Sequence, residues 1–225
     1  MINNLAKLEA ALNYRFKDMA LLEEALTHPS LKQIDNTRRH YERFEFLGDS
    51  ILGFLVTEMI FHRFNKYTEG TIAKIKAHVV SCEVIIEVAT QIHLADYMIM
   101  SSGEENSGGR INRHNIENTM EALLGAIYLD SNIEDTRKIV HMLWAEHIEN
   151  IDFSVADPKT FLQEWLHNKM QIMPVYKVSK QDGPVHAPIF TVQLWAGEES
   201  QLGLGHSIKE AEKDAARKML KKLNG

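Results

Sequence analysis

Three carboxylates crowd one short stretch of the chain, Glu42, Glu45 and Asp49, within Tyr41-Glu42-Arg43-Phe44-Glu45-Phe46-Leu47-Gly48-Asp49-Ser50. At 100° per residue they fall within an arc of about 60° on a helix. The stretch runs on through Ile51, Leu52, Phe54, Leu55, Val56, Met59 and Ile60, so this helix is apolar over most of its circumference and is expected to be largely buried. Carboxylates sharing one stripe of a buried helix repel one another and are costly to desolvate. A bound cation relieves both costs, and oxygen donors of this kind suit magnesium or manganese. The competing reading is a solvated acidic stripe. The dense apolar flanks weigh against it, as does Gly48 beside Asp49, since a glycine costs helix stability relative to alanine and points to close packing there.

A second segment, Asn115-Ile116-Glu117-Asn118-Thr119-Met120-Glu121-Ala122-Leu123-Leu124-Gly125-Ala126, has the same character. Asn118 and Glu121 are an i, i+3 pair on one helix face, backed by Ile116, Met120, Leu123 and Leu124. Opposed helices that each contribute such a pair can build a metal site inside a helical core.

The elements that must position these groups are mostly helices. Apolar residues recur at three- and four-residue spacing over the first 150 residues, as in Leu5, Leu8, Leu12 and then Leu21, Leu22, Ala25, Leu26. The Gly-rich punctuation from Ser101 to Arg110 reads as a polar loop between helices. A composition shift follows at Asp152 to Pro158, where Asp157-Pro158 is a helix-start signal. A helix is expected over about Lys159 to Met170, then strands at Val175–Ser179 and Phe190–Leu194, a short third strand near Gln201–Leu204, and a helix from Ile208 to Leu223. Gly183-Pro184 and Gly197 supply the turns. The expected fold is therefore an all-α domain over residues 1–151, a linker at 152–156, and a small α+β domain of order α-β-β-β-α over 157–225.

Charge follows the same division. Residues 1–156 carry 15 Lys+Arg against 23 Asp+Glu, a net −8, whereas residues 157–225 carry 10 against 8, a net +2. An acidic front and a mildly basic tail suit a carboxylate-rich catalytic part joined to a binding part. The single cysteine, Cys82, excludes a disulfide framework and a cysteine-based zinc site and reads as a small buried residue. Neither a signal-peptide core nor a stretch of membrane-spanning length is present, so the expected location is cytoplasmic, with no membrane partner.

The stretch from Glu42 to Ser50 resembles the signature of the ribonuclease III family, with Phe44 where members usually have Leu. The resemblance extends to Thr27-His28-Pro29-Ser30, Glu69-Gly70, Lys76, Val79-Val80, Gly103-Glu104-Glu105 and Gly108-Gly109. It implies a double-stranded-RNA endoribonuclease working on ribosomal, messenger and transfer RNA precursors as a homodimer, with staggered cuts that leave 5′-phosphates and short 3′ overhangs. It implies magnesium, or manganese in its place, held by Glu45, Asn118, Glu121 and Asp49, and no small-molecule cofactor. Asp49 and Glu121 would be most directly tied to catalysis, with Glu42 an acid linked to substrate engagement and strand scission. Members usually have Asp where this chain has Asn118. The amide can still offer an oxygen but brings no charge, so metal affinity should fall. Glu117 lies about 100° away on the wheel, which makes simple replacement awkward. With the other four acids intact, the adopted reading is a natural, active variant.

Residues 157–225 resemble a double-stranded-RNA-binding domain through Asp157-Pro158-Lys159-Thr160, Leu162-Gln163-Glu164, Gly183-Pro184-Val185-His186 and Gly205 to Ala216. Such domains read A-form shape across two successive minor grooves. Gln163 and Glu164 would reach ribose hydroxyls, the Gly183, Pro184 and His186 turn a minor groove, and Ser207, Lys209 and Lys213 the phosphates. Lys209, Lys213, Arg217 and Lys221 form one stripe beside Ala211, Ala215, Met219 and Leu223. Ile208 stands where members more often have a second Lys, which predicts a slightly shallower salt dependence. His28, His78 and His141 read as structural, and Trp165 and Trp195 as core or platform residues. Two other classes compete: a non-catalytic double-stranded-RNA-binding protein disabled at Asn118, and a helical magnesium-dependent nucleotide pyrophosphatase, which would not need the basic tail.

Overall fold

A computed structural model of the chain describes residues 2–32, 34–151, 158–184 and 187–224. They divide into two compact units, Met1–Arg63 with Lys76–Asn150, and Phe64–Ile75 with Ile151–Gly225. The expected linker and the Asp157 cap lie outside the described residues.

The first unit is helical, as its 3.6-residue periodicity requires: α1 (Ile2–Leu12), α2 (Met19–Leu26), α3 (Glu42–Arg63), α4 (Glu69–Val79, which begins in the segment assigned to the second unit), α5 (Cys82–Gln91), α6 (Ser102–Asn106), α7 (Arg113–Asp130) and α8 (Ile133–Glu149). Side-chain caps fix several starts. Asp18 accepts from the Ala20 amide at the head of α2, Asn112 from His114 at α7, and Asn132 from Glu134 and Asp135 at α8. The Ser101–Arg110 stretch, expected as a loop, contains the short α6. Its Arg110 turns inward, donating to the Ala95 carbonyl and pairing with Glu105.

Helices α3 and α7 form the centre of this unit. Leu52, Leu55, Val56 and Ile60 of α3 are buried, as are Leu123, Leu124, Ala126 and Ile127 of α7. Trp144 of α8 is fully enclosed and donates its indole N–H to the Val79 carbonyl at 3.2 Å. Two glycines let α3 and α7 meet backbone to backbone. A Cβ on Gly48 would lie 1.7 Å from the Glu121 carbonyl oxygen, and one on Gly125 would lie 2.4 Å from that of Phe44. The close packing expected at Gly48 is thus a contact with the helix that carries the second acidic pair. The expectation that α3 is buried nearly all round fails on one side, where Phe46, Phe54 and Phe61 are 80%, 54% and 63% exposed.

The second unit contains α9 (Pro158–Met170), strands β1 (Val175–Asp182), β2 (Ile189–Ala196) and β3 (Glu199–Gly205), and α10 (Ile208–Asn224). The strands pair antiparallel in the order β1-β2-β3. Gly197, with φ +64°, opens the two-residue turn between Ala196 and Glu199, a conformation that suits glycine. Val192, Leu194 and Ala196 alternate into the core, where Ala211, Ala215 and Met219 of α10 and Phe161, Leu162 and Leu166 of α9 are also buried. Gly203 brings β3 against α10, since a Cβ there would come within 2.0 Å of the Ala211 carbonyl oxygen.

The glycine contact is testable. Gly48→Ala should gain helix propensity of about 1 kcal/mol but lose more to the clash with α7, as overpacking costs about 1–3 kcal/mol or more. A lower urea midpoint is expected for Gly48→Ala but not for Gly70→Ala, whose added methyl meets nothing within 4 Å.

Candidate active site and RNA-binding surface

The contact at Gly48 and Gly125 brings the acidic stripe of α3 against the Asn118–Glu121 face of α7. Between them is an open cavity of about 520 Å³, lined by Pro29, Tyr41, Glu42, Glu45, Phe46, Asp49, Asn118 and Glu121. All five groups singled out in the sequence therefore meet here. Glu42 and Asp49 stand exposed at its mouth, and Glu45, Asn118 and Glu121 are half-buried.

Electrostatics mark this cavity as an unusual place for so many acids. Burial, reinforced by the charges of Asp49, Glu117 and Glu45, pushes the Glu121 carboxyl up to about 8. Burial and the neighbouring Glu42, Glu117 and Asp49 raise Glu45 as well. No Lys or Arg is among the described lining residues to offset the repulsion. The donor set is entirely oxygen, from carboxylates, an amide and a tyrosine hydroxyl. That combination fits a small divalent cation such as magnesium, which prefers oxygen ligands and would neutralise the mutual repulsion.

Tyr41 was not singled out by its own chemistry in the sequence. It is buried, its hydroxyl is hydrogen-bonded to the Asn118 side chain, and burial pushes that hydroxyl up to about 12. Asn118 is thus oriented by a neighbour on the α3 side of the cavity. Glu117 does not line the cavity, although its charge reaches both Glu45 and Glu121. Its carboxylate instead lies 3.4 Å from His114 Nδ1 and is hydrogen-bonded to Cys82. Cys82, expected as a buried residue, is only partly covered, because it begins α5 beside the start of α7.

The histidines separate. His28 Nδ1 accepts from the Ser30 amide and its Nε2 meets Asn115 Oδ1 at 3.3 Å, a structural role, whereas His78 and His141 are exposed.

In the second unit Gln163 is exposed and Glu164 half-buried, its Oε1 accepting from the Thr68 and Thr71 hydroxyls at 2.6 and 2.9 Å. Gly183, with φ +89°, and Pro184 are exposed, while His186 lies outside the described residues. The Ser207 hydroxyl caps α10 by accepting from the Glu210 amide. Lys209 is exposed and Lys213 half-exposed on the first turns of that helix. Among the described residues neither has a carboxylate partner, whereas Lys218 and Arg217 share Asp214 and Lys222 meets Glu199. Lys213, Arg217 and His206 border a shallow cavity of about 510 Å³ at the head of α10. Trp165 and Trp195 are half-buried, as platform residues would be. No helix among the described residues is long and apolar enough to cross a membrane.

Comparison with known proteins covers both units. Residues 18–147 match the family model described as ribonuclease-III-like, and residues 158–223 match the double-stranded RNA binding motif. Ribonuclease 3 of Rickettsia felis is 51% identical over 219 residues, covering 96% of this chain and 97% of its own. A crystal structure of the nuclease domain of ribonuclease III from Campylobacter jejuni is 38% identical, with a TM-score of 0.61, over 66% of this chain and 98% of that one. A second structure of that domain, with 39% identity and a TM-score of 0.60 over 64% and 98%, is described as showing structural flexibility in a region involved in dimer formation.

The raised Glu121 has a measurable consequence. A carboxyl whose folded-state pKa exceeds its unfolded one contributes stability in full below the unfolded value, about 4.5, and loses it as pH rises through the folded value. With divalent metal chelated, the melting temperature should therefore fall as pH rises from about 5 to about 8. Glu121→Gln should flatten that slope; an unchanged slope would mean that Glu121 is not the strained group.

Proposed function

The chain belongs to the ribonuclease III family, and from that premise we propose that its double-stranded RNA is cut at the cavity between α3 and α7. The single observation that carries this assignment is the meeting of Glu42, Glu45, Asp49, Asn118 and Glu121 in one open pocket with no Lys or Arg among its described lining residues. The chain is an endoribonuclease of double-stranded RNA. Residues 1–151 would form the catalytic domain and 157–225 the binding domain, joined through 152–156.

Glu45, Asn118, Glu121 and Asp49 provide the oxygen donors for magnesium, with manganese as a substitute. When bound, magnesium would supply positive charge that eases deprotonation of the attacking water to the nucleophilic hydroxide and offsets the charge building on the phosphoryl and leaving oxygens. The protein's part is positioning. Gly48 and Gly125 set the spacing of the donors, and Tyr41 turns the Asn118 amide. Asp49, the exposed acid beside Glu121, would orient the attacking water and receive its proton. Glu42 stands outermost, 3.5 Å from His40 Nδ1, where an incoming RNA strand would meet it. The products would carry 5′-phosphate and 3′-hydroxyl ends.

The exposed phenylalanines support a homodimer. Phe46, Phe54 and Phe61 fall within an arc of about 80° on α3, and exposed aromatic clusters of this kind are costly in water. A second copy covering them would place two cutting centres on one duplex and produce a staggered cut with a short 3′ overhang. Lys209 and Lys213 would contact phosphates and Gln163, Gly183 and Pro184 the minor groove, with Ser207 and the α10 N-terminus facing the backbone. We further propose a cytoplasmic location and ribosomal, messenger and transfer RNA precursors as substrates.

The assignments separate experimentally. Glu121→Gln should abolish cutting of a long duplex while leaving its binding intact. Asn118→Asp should lower the magnesium concentration for half-maximal cutting by about tenfold or more, since a unit charge about 4 Å from another is worth ~4 kcal/mol at an effective dielectric near 20. An unchanged requirement would remove Asn118 from the ligand set. Lys209→Ala and Lys213→Ala should each weaken duplex binding and reduce the slope of log affinity against log salt by about 1. Phe54→Glu should shift the protein to monomer in sedimentation.

A further inference from the structure

The start of α7 carries a second cluster of metal-ligating side chains, whose members do not line the cutting pocket. Cys82, at the first position of α5, meets His114 and Glu117 from the first turns of α7, and one donor atom from each lies within 4.8 Å of the others. His114 Nδ1 and Glu117 Oε2 are already 3.4 Å apart. Bonds of roughly 2.0–2.2 Å to nitrogen and oxygen put neighbouring ligands of a tetrahedral zinc about 3.3–3.5 Å apart. Thus two of the three ligands stand at coordination distance before any ion arrives. The third needs to close by about an ångström, and the 83%-exposed His114 side chain has the freedom to do so. Glu117 is mostly covered, with a side-chain exposure of 21%, so the carboxylate is the fixed member of the set.

The donor chemistry differs from that of the cutting pocket. A sulfur, a nitrogen and an oxygen suit a borderline or soft cation, whereas magnesium takes oxygens alone. Arg113 pairs with Glu83 at 2.9 Å and also has a side-chain hydrogen bond to Cys82, which an incoming cation would displace. Three protein ligands leave the fourth tetrahedral position to water, the pattern of an exchangeable rather than a closed structural site.

Contrary to the expectation that a single cysteine excludes a cysteine-based zinc site, we propose that Cys82, His114 and Glu117 form a binding site for a thiophilic divalent cation of the zinc type, distinct from the magnesium pocket. Coordination takes place through the thiolate, and the Cys82 proton is released to solvent. The site sits on the helix that carries Asn118 and Glu121 but shares no ligand with the cutting pocket. It therefore goes beyond the endonuclease reading and stands or falls independently of it.

Because the chain has a single cysteine, the site can be read directly. Zinc added to the metal-stripped, full-length protein should slow alkylation of Cys82 by iodoacetamide by about tenfold or more, while millimolar magnesium should not. Cobalt(II) should give a sulfur-to-metal charge-transfer band that Cys82→Ser removes. His114→Ala, at an exposed position where folding is not at risk, and Glu117→Gln should each weaken zinc binding by about tenfold or more. Glu45→Ala should leave zinc binding unchanged. An unaltered alkylation rate at saturating zinc overturns the proposal. So does zinc binding that survives His114→Ala and Glu117→Gln at full affinity but is lost with Glu45→Ala, because the cation would then belong to the acidic pocket.

Discussion

Backbone contact between α3 and α7 at Gly48 and Gly125 is the constraint on which the active centre depends. Side chains at either position would force the helices apart, since the missing methyls would fall 1.7 and 2.4 Å from carbonyl oxygens of the opposite helix. Leu52, Leu55, Leu123 and Leu124 continue the seam on the core side, and the acids occupy the side open to solvent. One helix pair thus provides both the hydrophobic centre of the unit and its most strained electrostatics. Apolar burial along the seam offsets the repulsion among Glu45, Asp49 and Glu121, which no Lys or Arg among the described lining residues relieves.

Much of this arrangement was legible in the sequence because it is local. A helix fixes the angular relation of Glu42, Glu45 and Asp49, and of Asn118 and Glu121, so each stripe could be read from spacing alone. The glycine beside Asp49 signalled close approach for the same reason. The antiparallel sheet and flanking helices of the second unit followed from period-two alternation and from Gly183, Gly197 and the Gly205-His206-Ser207 turn.

Other features depend on which surfaces the fold leaves open, and the sequence carries no local signal for that. Phe46, Phe54 and Phe61 looked like core residues because α3 is apolar nearly all round, yet among the described residues no helix of the unit covers that face. Cys82 looked buried and solitary because its neighbours His114 and Glu117 are remote in sequence and meet it only through the packing of α5 on α7. Tyr41 showed no chemistry until the fold placed its hydroxyl on Asn118. Glu164, expected to reach a ribose hydroxyl, accepts from the Thr68 and Thr71 hydroxyls.

The glycine seam also bears on motion. Reactive groups in many enzymes ride on loops that open easily, at little cost in free energy. Here they ride on two long helices whose backbones touch, so moving the backbone that carries Asn118 or Glu121 requires separating the unit's central pair. Amide hydrogens of this part of α7 should therefore be among the slowest to exchange, since core helices in close contact open at a cost near that of global unfolding. Any adjustment to the differing shapes of RNA substrates must then come from elsewhere in the chain, while the cutting centre stays rigid.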